Sequence, residues 1–268
     1  MSSAPVSDGV QLDPGEEFWK GILLGTDPRL AGARSRLKHV PSEPRCKLCG
    51  APFGGLGAPF MRFLGRDRWA KNPRYCANCF GAMSAMRGGA EIEATFLFAD
   101  VRGSTSLAEG MSASAFRGLL GRFYDASSRV LVDHDAIVDK FVGDAVFAIF
   151  VPALTHEAHA ARAIDAGMEL LRAMGYAESG EPWLPIGIGI NTGAAYVGSV
   201  GQGDVPEFTA LGDAVNTTAR LASVAAPGEL LITDSTAAAA ELAIGGLERR
   251  VLDLKGKADA TQVSVVTV

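Results

Sequence analysis

The spacing of apolar positions changes near residue 90. Before that point the apolar residues fall at helical intervals in short stretches. In EEFWKGILL (16–24), Phe18 and Ile22 share one face of a short helix with Trp19 beside them, and a second short helix is expected from Pro28 to Lys38. GAMSAMRGGAE (81–91) reads as a short helix followed by a Gly-Gly linker. Beyond it, ATFLFADV (94–101) is the near-continuous apolar run of a strand covered on both faces. SASAFRGLLGRFYDASSRVLVDH (112–134) is helical, with Phe116, Leu119, Leu120, Phe123 and Val130 on one stripe. AIVDKFVGDAVFAIFV (136–151) divides at Gly143-Asp144 into a tight hairpin. THEAHAARAIDAGMELLRAM (155–174) aligns Ala161, Ile164, Met168 and Leu171 as a second long helix. LPIGIGINTGAAYVGSVG (184–201) predicts two strands around Asn191-Thr192-Gly193, and GDAVNTTARLASVA (212–225) a helix stopped by Pro227-Gly228. A strand and short helix follow, with Asp234 or Ser235 as N-cap, and two last strands, ERRVLDL and TQVSVVTV, flank Lys255-Gly256-Lys257. Helices and strands interleave without strict βαβ order, which predicts an α+β fold: a mixed β-sheet flanked by helices.

The pattern divides the chain into four parts. Residues 1–15, rich in Ser, Pro, Asp and Gly, read as a disordered leader; 16–44 hold short helices; 45–90 hold a cysteine module and linker; 91–268 form the α+β domain. A hydrophobic content of 48% with 21% charged residues supplies a packed core. No apolar run reaches the roughly 18 residues of a membrane span. The N-terminus lacks a basic-then-apolar export pattern, so a cytoplasmic location is expected. The net charge of −5 is uneven: residues 1–27 carry −4, 28–89 carry +10 and 90–268 carry −11. A basic segment before an acidic domain can meet nucleic acid, phospholipid or that domain itself.

All four cysteines lie in the basic segment. Cys46, Cys49, Cys76 and Cys79 form C-x2-C-x26-C-x2-C, and the missing export signal argues against disulfides. Each pair is a knuckle-sized turn, helped by Gly50, and four thiolates suit tetrahedral Zn2+. Four cysteines also hold iron–sulfur clusters, with redox sensing as the consequence, although the common ferredoxin spacings do not match. FMRFLGRDRWAKNPRY mixes arginines with aromatics, a composition that suits nucleic-acid backbones. Docking of this basic module onto the acidic domain, as a regulatory element, is the preferred reading, and nucleic acid is not expected as a partner.

Asp100 and Asp144 each lie at the end of an apolar strand, before turn residues. A lone aspartate there is ordinarily a turn former or helix cap. Two on adjacent strands can instead hold a pair of divalent ions, which stabilise the attacking and leaving oxygens of a phosphoryl displacement. Gly103, Ser104 and Thr105, before a helix, leave backbone N–H groups for phosphates.

FADVRGSTSL, DKFVGDAVFAIF, INTGAAYVGSVG, FTALGDAVNTTARL and LKGK, in that order, resemble the class III adenylyl/guanylyl cyclase catalytic domain over roughly Glu93 to Val268. The resemblance implies two Mg2+ or Mn2+ ions per active site, held by Asp100, Asp144 and the carbonyl of Val101. It implies that Lys140 and Thr209 read adenine, that Asn216 orients the ribose, and that Arg220, four residues on, stabilises the transition state. It gives the terminal phosphates to Lys255, with Lys257 close enough to be confused with it, and it implies a head-to-tail homodimer with sites at the interface. A lysine donates to a ring nitrogen and a threonine accepts from an exocyclic amine, so ATP is expected over GTP, with cyclic AMP and pyrophosphate as products. The rivals are a guanylyl cyclase and a silent cyclase fold that only binds partners; intact Asp100, Asp144, Asn216 and Arg220 weigh against silence. His134, His156 and His159 are expected at surfaces or helix ends and His39 in a linker, none with a partner.

Overall fold

The structure, a computed structural model, describes residues 14–40, 43–69, 72–85, 87–177, 181–201, 207–254, 257 and 260–268. A two-stranded ribbon, β1 (Arg68–Trp69) and β2 (Asn72–Cys76), precedes an eight-stranded sheet. The sheet holds β3 (Gly88–Val101), β4 (Ile137–Val142), β5 (Ala145–Phe150), β6 (Ile186–Val200), β7 (Glu207–Leu211), β8 (Leu230–Thr233), β9 (Glu248–Leu252) and β10 (Thr261–Val266). Their order is β4-β5-β3-β6-β8-β10-β9, with β7 on the second half of β6. β6 and β8 run parallel and the other pairs antiparallel, so the sheet is mixed as expected. The helices are α1 (Pro14–Leu24), α2 (Pro28–Leu37), α3 (Ala58–Phe63), α4 (Ala77–Ala85), α5 (Ser104–Glu109), α6 (Ala113–Asp133), α7 (Pro152–Thr155), α8 (His159–Ala173), α9 (Asp213–Val224) and α10 (Asp234–Ala239). None of the described helices is long and apolar enough to cross a membrane.

The alternation along β3 shows why helices cover both faces. Ala90, Ile92, Ala94 and Phe96 pack with α1, the cysteine segment and the start of α9. Leu97, Ala99 and Val101 point the other way, into a core shared with α6, α8 and α10. The N-terminal segment therefore shares the core of the sheet: Trp19 and Leu23 of α1 are fully covered, and the Trp19 indole N–H donates to the Arg87 carbonyl at 3.3 Å.

Several expectations are corrected. Gly88-Gly89 is the start of β3, where it pairs with Ser199 and Gly198. The two backbones approach so closely that a Cβ on Gly198 would lie 2.3 Å from the Gly89 Cα. The stretch 184–201 holds one strand, β6, instead of two. The turn-favouring Asn191 spends its side chain on neighbours, donating to the Ala214 carbonyl at 3.0 Å and accepting from Thr233 at 2.8 Å. The expected long helix at 155–174 is broken by a 3-10 turn, His156–Ala158, after α7. Thr233, and neither Asp234 nor Ser235, caps α10 by accepting from the Thr236 N–H. α1 starts at Pro14, and residues 1–13 lie outside the described residues. On α6, capped by Ser112, Phe123 and Val130 are buried while Phe116, Leu119 and Leu120 are only partly covered. The strand β7 over EFTAL was not anticipated.

Candidate functional site

The two aspartates meet through strand pairing. Asp100 is opposite Ala145 in the β3–β5 ladder, and the Val101 N–H donates to the Asp144 carbonyl at 3.1 Å. Gly143, at φ 60°, opens the two-residue turn that carries Asp144, a conformation that favours glycine at the first central position. Burial pushes the Asp100 carboxyl above its ordinary value; Arg102 opposes this and the nearby Asp144 adds to it. The Arg102 guanidinium bonds the Asp100 carboxylate and reaches the Ser223 carbonyl at 2.8 Å. A partly buried Asp100 beside a second carboxylate, Asp144, is a donor set that fits divalent cations. Gly103, in the left-handed region at φ 67°, precedes α5, whose first turn begins with Ser104 and Thr105 and carries no side-chain cap.

Lys140 and Thr209 are brought together from β4 and β7 around a residue that sequence reasoning missed, Asp139. The β4–β5 register shifts between Val138 and Lys140, so Asp139 is the extra residue of a bulge. Regular pleating would send Asp139 and Lys140 to opposite faces; the bulge turns both the same way. The Thr209 hydroxyl donates to Asp139 Oδ2 at 2.5 Å, and Lys140 Nζ lies 3.9 Å from the same oxygen and 2.9 Å from Glu207 Oε1. The Asp139 side chain is 1% exposed and its Oδ1 has no hydrogen-bond partner among the described residues. Burial pushes its carboxyl up to about 6, against the Thr209 hydrogen bond and the Lys140 charge. The only sequence signal was position: an acid beside Lys140 in an otherwise apolar strand.

Asn216 and Arg220 lie on α9, and no hydrogen bond or ion pair among the described residues holds either side chain. The helix lies against bare backbone: a Cβ on Gly189 of β6 would fall 2.4 Å from the Ala222 nitrogen and 2.6 Å from the Thr218 carbonyl oxygen. Lys255 falls outside the described residues; Lys257 pairs with Asp213. His134 sits at a helix end, bonded to the Val130 carbonyl at 2.9 Å. His159 stands at a helix end as expected, the first residue of α8, but the expectation that it has no partner fails. It is buried, with Nδ1 2.8 Å from the Thr95 hydroxyl, and burial holds its pKa down.

The four cysteine sulfurs lie within 4.8 Å of one another, with Cys49 and Cys76 at 3.8 Å. Four sulfurs about 2.3 Å from one tetrahedral ion stand about 3.8 Å apart, so the cage fits a single ion. Hydrogen bonds from Cys46, then Cys76 and Cys79, pull the Cys49 thiol down, while Cys46 and Cys49 push Cys79 up. Four thiolates this close need a cation between them. Arg66 donates to the Cys49 sulfur at 3.3 Å, and Gly50 turns the first knuckle at φ 74°. The cysteine segment meets the sheet domain at several places. Lys47 pairs with Asp135 at 3.3 Å, and the Asn72 amide donates to the Ala136 carbonyl at 3.1 Å, both just before β4. Phe80, the residue after Cys79, stacks with Trp69 at 4.1 Å and meets Phe208, the neighbour of Thr209, at 6.0 Å.

Residues 90–266 match the family described as the Adenylate and Guanylate cyclase catalytic domain. "Adenylate cyclase 1" of Rhizobium meliloti (strain 1021) is 37% identical over 147 residues, covering 53% of this chain and 22% of its own length. An adenylate cyclase of Anabaena cylindrica is 31% identical over 160 residues, covering 55% of this chain and 32% of its own. The matched regions are thus about a fifth to a third of these curated relatives. Among solved structures, the guanylyl cyclase Cya2 is similar at a TM-score of 0.60 with 29% identity, over 67% of this chain and 94% of that one. The adenylyl cyclase CyaB from P. aeruginosa gives the same score and identity over 68% and 97%. The fold is common to enzymes named for either purine, so base choice rests on side chains. With the mixed sheet, the paired carboxylates and the matched span together, this chain belongs to the adenylate and guanylate cyclase catalytic domain family.

Proposed function

We propose that the chain is an adenylate cyclase, converting ATP into 3′,5′-cyclic AMP and pyrophosphate in a homodimer whose activity is tuned by the cysteine module. The observation that carries the choice of ATP is the convergence of Lys140 and Thr209 on Asp139. Lys140 offers only donors, which suits an unprotonated ring nitrogen of adenine, and Thr209 is placed to accept from the 6-amino group.

Asp100, Asp144 and the Val101 carbonyl are the groups that would hold two Mg2+ or Mn2+ ions. Such ions supply Lewis acidity to the ribose 3′-hydroxyl and neutralise charge on the triphosphate. Arg220 donates to the oxygens that gain charge at the α-phosphorus, and its planar guanidinium suits that task better than a lysine. Asn216 orients the ribose so that an intramolecular attack stays in line. Gly103, Ser104 and Thr105 line the phosphate side, and Lys255 is assigned to the terminal phosphates. The Asn216 and Arg220 side chains, without hydrogen-bond or ion-pair partners among the described residues, together with exposed Val142, Leu211 and Val224 beside the site residues, favour a site completed by a second copy. Zn2+ is the preferred ion for the four cysteines because one tetrahedral cation fits the sulfur spacing.

Control by the module follows from its contacts. It grips the residues before β4, which carries Lys140, and abuts Phe208, beside Thr209. Ordering of the cage would therefore set the separation of the two base-facing strands.

The test is turnover of purified chain with ATP or GTP and Mn2+ or Mg2+, products separated by chromatography. Cyclic AMP from ATP, abolished in a folded Asp144→Ala variant, is expected. Cyclic GMP alone would reassign the base, and no cyclic nucleotide from either would overturn the reading.

A further inference from the structure

We infer that Asp139 determines purine choice by accepting the hydrogen bond of the Thr209 hydroxyl, which leaves Thr209 able only to accept a hydrogen bond from the base. The inference rests on the reading of Lys140 and Thr209 as the base-facing pair.

A threonine hydroxyl has one donor and two lone pairs. Free to rotate, it would accept from the 6-amino group of adenine or donate to the 6-carbonyl of guanine, and would discriminate weakly. Here the hydroxyl hydrogen is committed to Asp139 Oδ2. At pH 7.5 the Asp139 carboxyl, titrating near 6, is ionised and has no proton to return. What remains on Thr209 for a ligand is lone pairs. Beside it, Lys140 presents only donors. The pocket is then donor at one end and acceptor at the other, the complement of the ring nitrogen and 6-amine of adenine. A guanine carbonyl set against Thr209 would face lone pairs and lose its partner, a mismatch that the ATP:GTP ratio reads directly.

Two features say that Asp139 is not there for the fold. It stands in a bulge that interrupts the β4–β5 ladder, and its second oxygen is buried with no partner among the described residues. Both cost stability, and an apolar residue in a regular strand would avoid both.

The experiment compares wild type with Asp139→Asn, whose amide can donate to Thr209 and free its hydroxyl to donate in turn. Asp139→Ala, which cannot overfill the site, serves if the amide does not pack. kcat/KM is measured at pH 7.5 for ATP, for GTP and for purine riboside 5′-triphosphate, which has no 6-substituent. A fall of about tenfold or more in the ATP:GTP ratio is expected, with the 6-unsubstituted nucleotide changed less than twofold. In a Thr209→Val background the Asp139 substitution should move the ratio less than twofold. A folded variant that keeps the wild-type ratio, or loses all three nucleotides equally, overturns the inference. A wild-type enzyme that prefers GTP would instead sink the ATP reading beneath it, and the two failures are told apart by the wild-type ratio alone.

Discussion

Gly189→Ala tests whether the close seating of α9 on β6 positions the transition-state groups. The added Cβ would stand 2.4 Å from the Ala222 nitrogen and 2.6 Å from the Thr218 oxygen, and ordinary contact begins near 3.4 Å. Both obstacles are backbone, so relief comes only by withdrawing the helix about 1 Å. Overpacking of this kind costs about 1–3 kcal/mol, and each kcal/mol lowers the melting temperature by about 2–4 °C in a protein of this size. The effect on rate is larger than that loss suggests, because a ~1 Å displacement of a catalytic group costs on the order of a hundredfold. Asn216 and Arg220, as proposed, would both move with the helix. The assay is kcat at saturating ATP alongside a thermal melt, with Gly118→Ala on α6 as control, since nothing lies within 4 Å of a Cβ there. A Gly189→Ala protein with kcat within twofold of wild type and an unchanged melt would refute the reasoning.

Three further outcomes are expected. Protein purified without air should be colourless and hold one zinc per chain, with Cys49→Ser losing it; a brown preparation would replace zinc by iron. Phe80→Ala should cost about 3–5 kcal/mol and raise KM for ATP more than it lowers kcat, since Phe80 links the cage to Phe208. An unchanged KM in the folded variant would remove the regulatory contact. Asp139→Asn should melt higher than wild type at pH 8. The Asp139 carboxyl titrates near 6 when folded and near 3.8 when unfolded, so its proton favours the folded state at low pH and that advantage is lost as pH rises through 6. The gap between variant and wild type should therefore open between pH 4 and 6 and stay constant above; a gap independent of pH would contradict the burial of that carboxylate.

Much of the fold was legible because one face of each element is plainly apolar: the α6 helix, the hairpin at Gly143-Asp144 and the helix over 213–224 follow from periodicity and turn residues alone. The errors share one cause. Asn191-Thr192-Gly193 reads as a turn only while its partners are unknown, and tertiary hydrogen bonds to Ala214 and Thr233 let the strand run through. Gly88-Gly89 reads as a linker, yet it is where two backbones cross too closely for a Cβ. His159 and Asp139 were invisible as site candidates because their meaning lies in burial and in partners, Thr95 and Thr209, that are 64 and 70 residues away in the chain.

The long β3–β6 ladder also dictates a timetable for synthesis. Its end pairs, Val101 with Ile186 and Gly88 with Ser199, join residues 85 and 111 positions apart. At a ribosomal pace of roughly 5–20 residues per second, the apolar edge of β3 waits about 5–20 s for its partner strand to emerge. During that wait the central strand of the sheet is an unpaired edge, open to strands of other nascent chains. The α1 helix and the cysteine segment, both made before β3 and packed against its start, are on hand to shield that end from the outset.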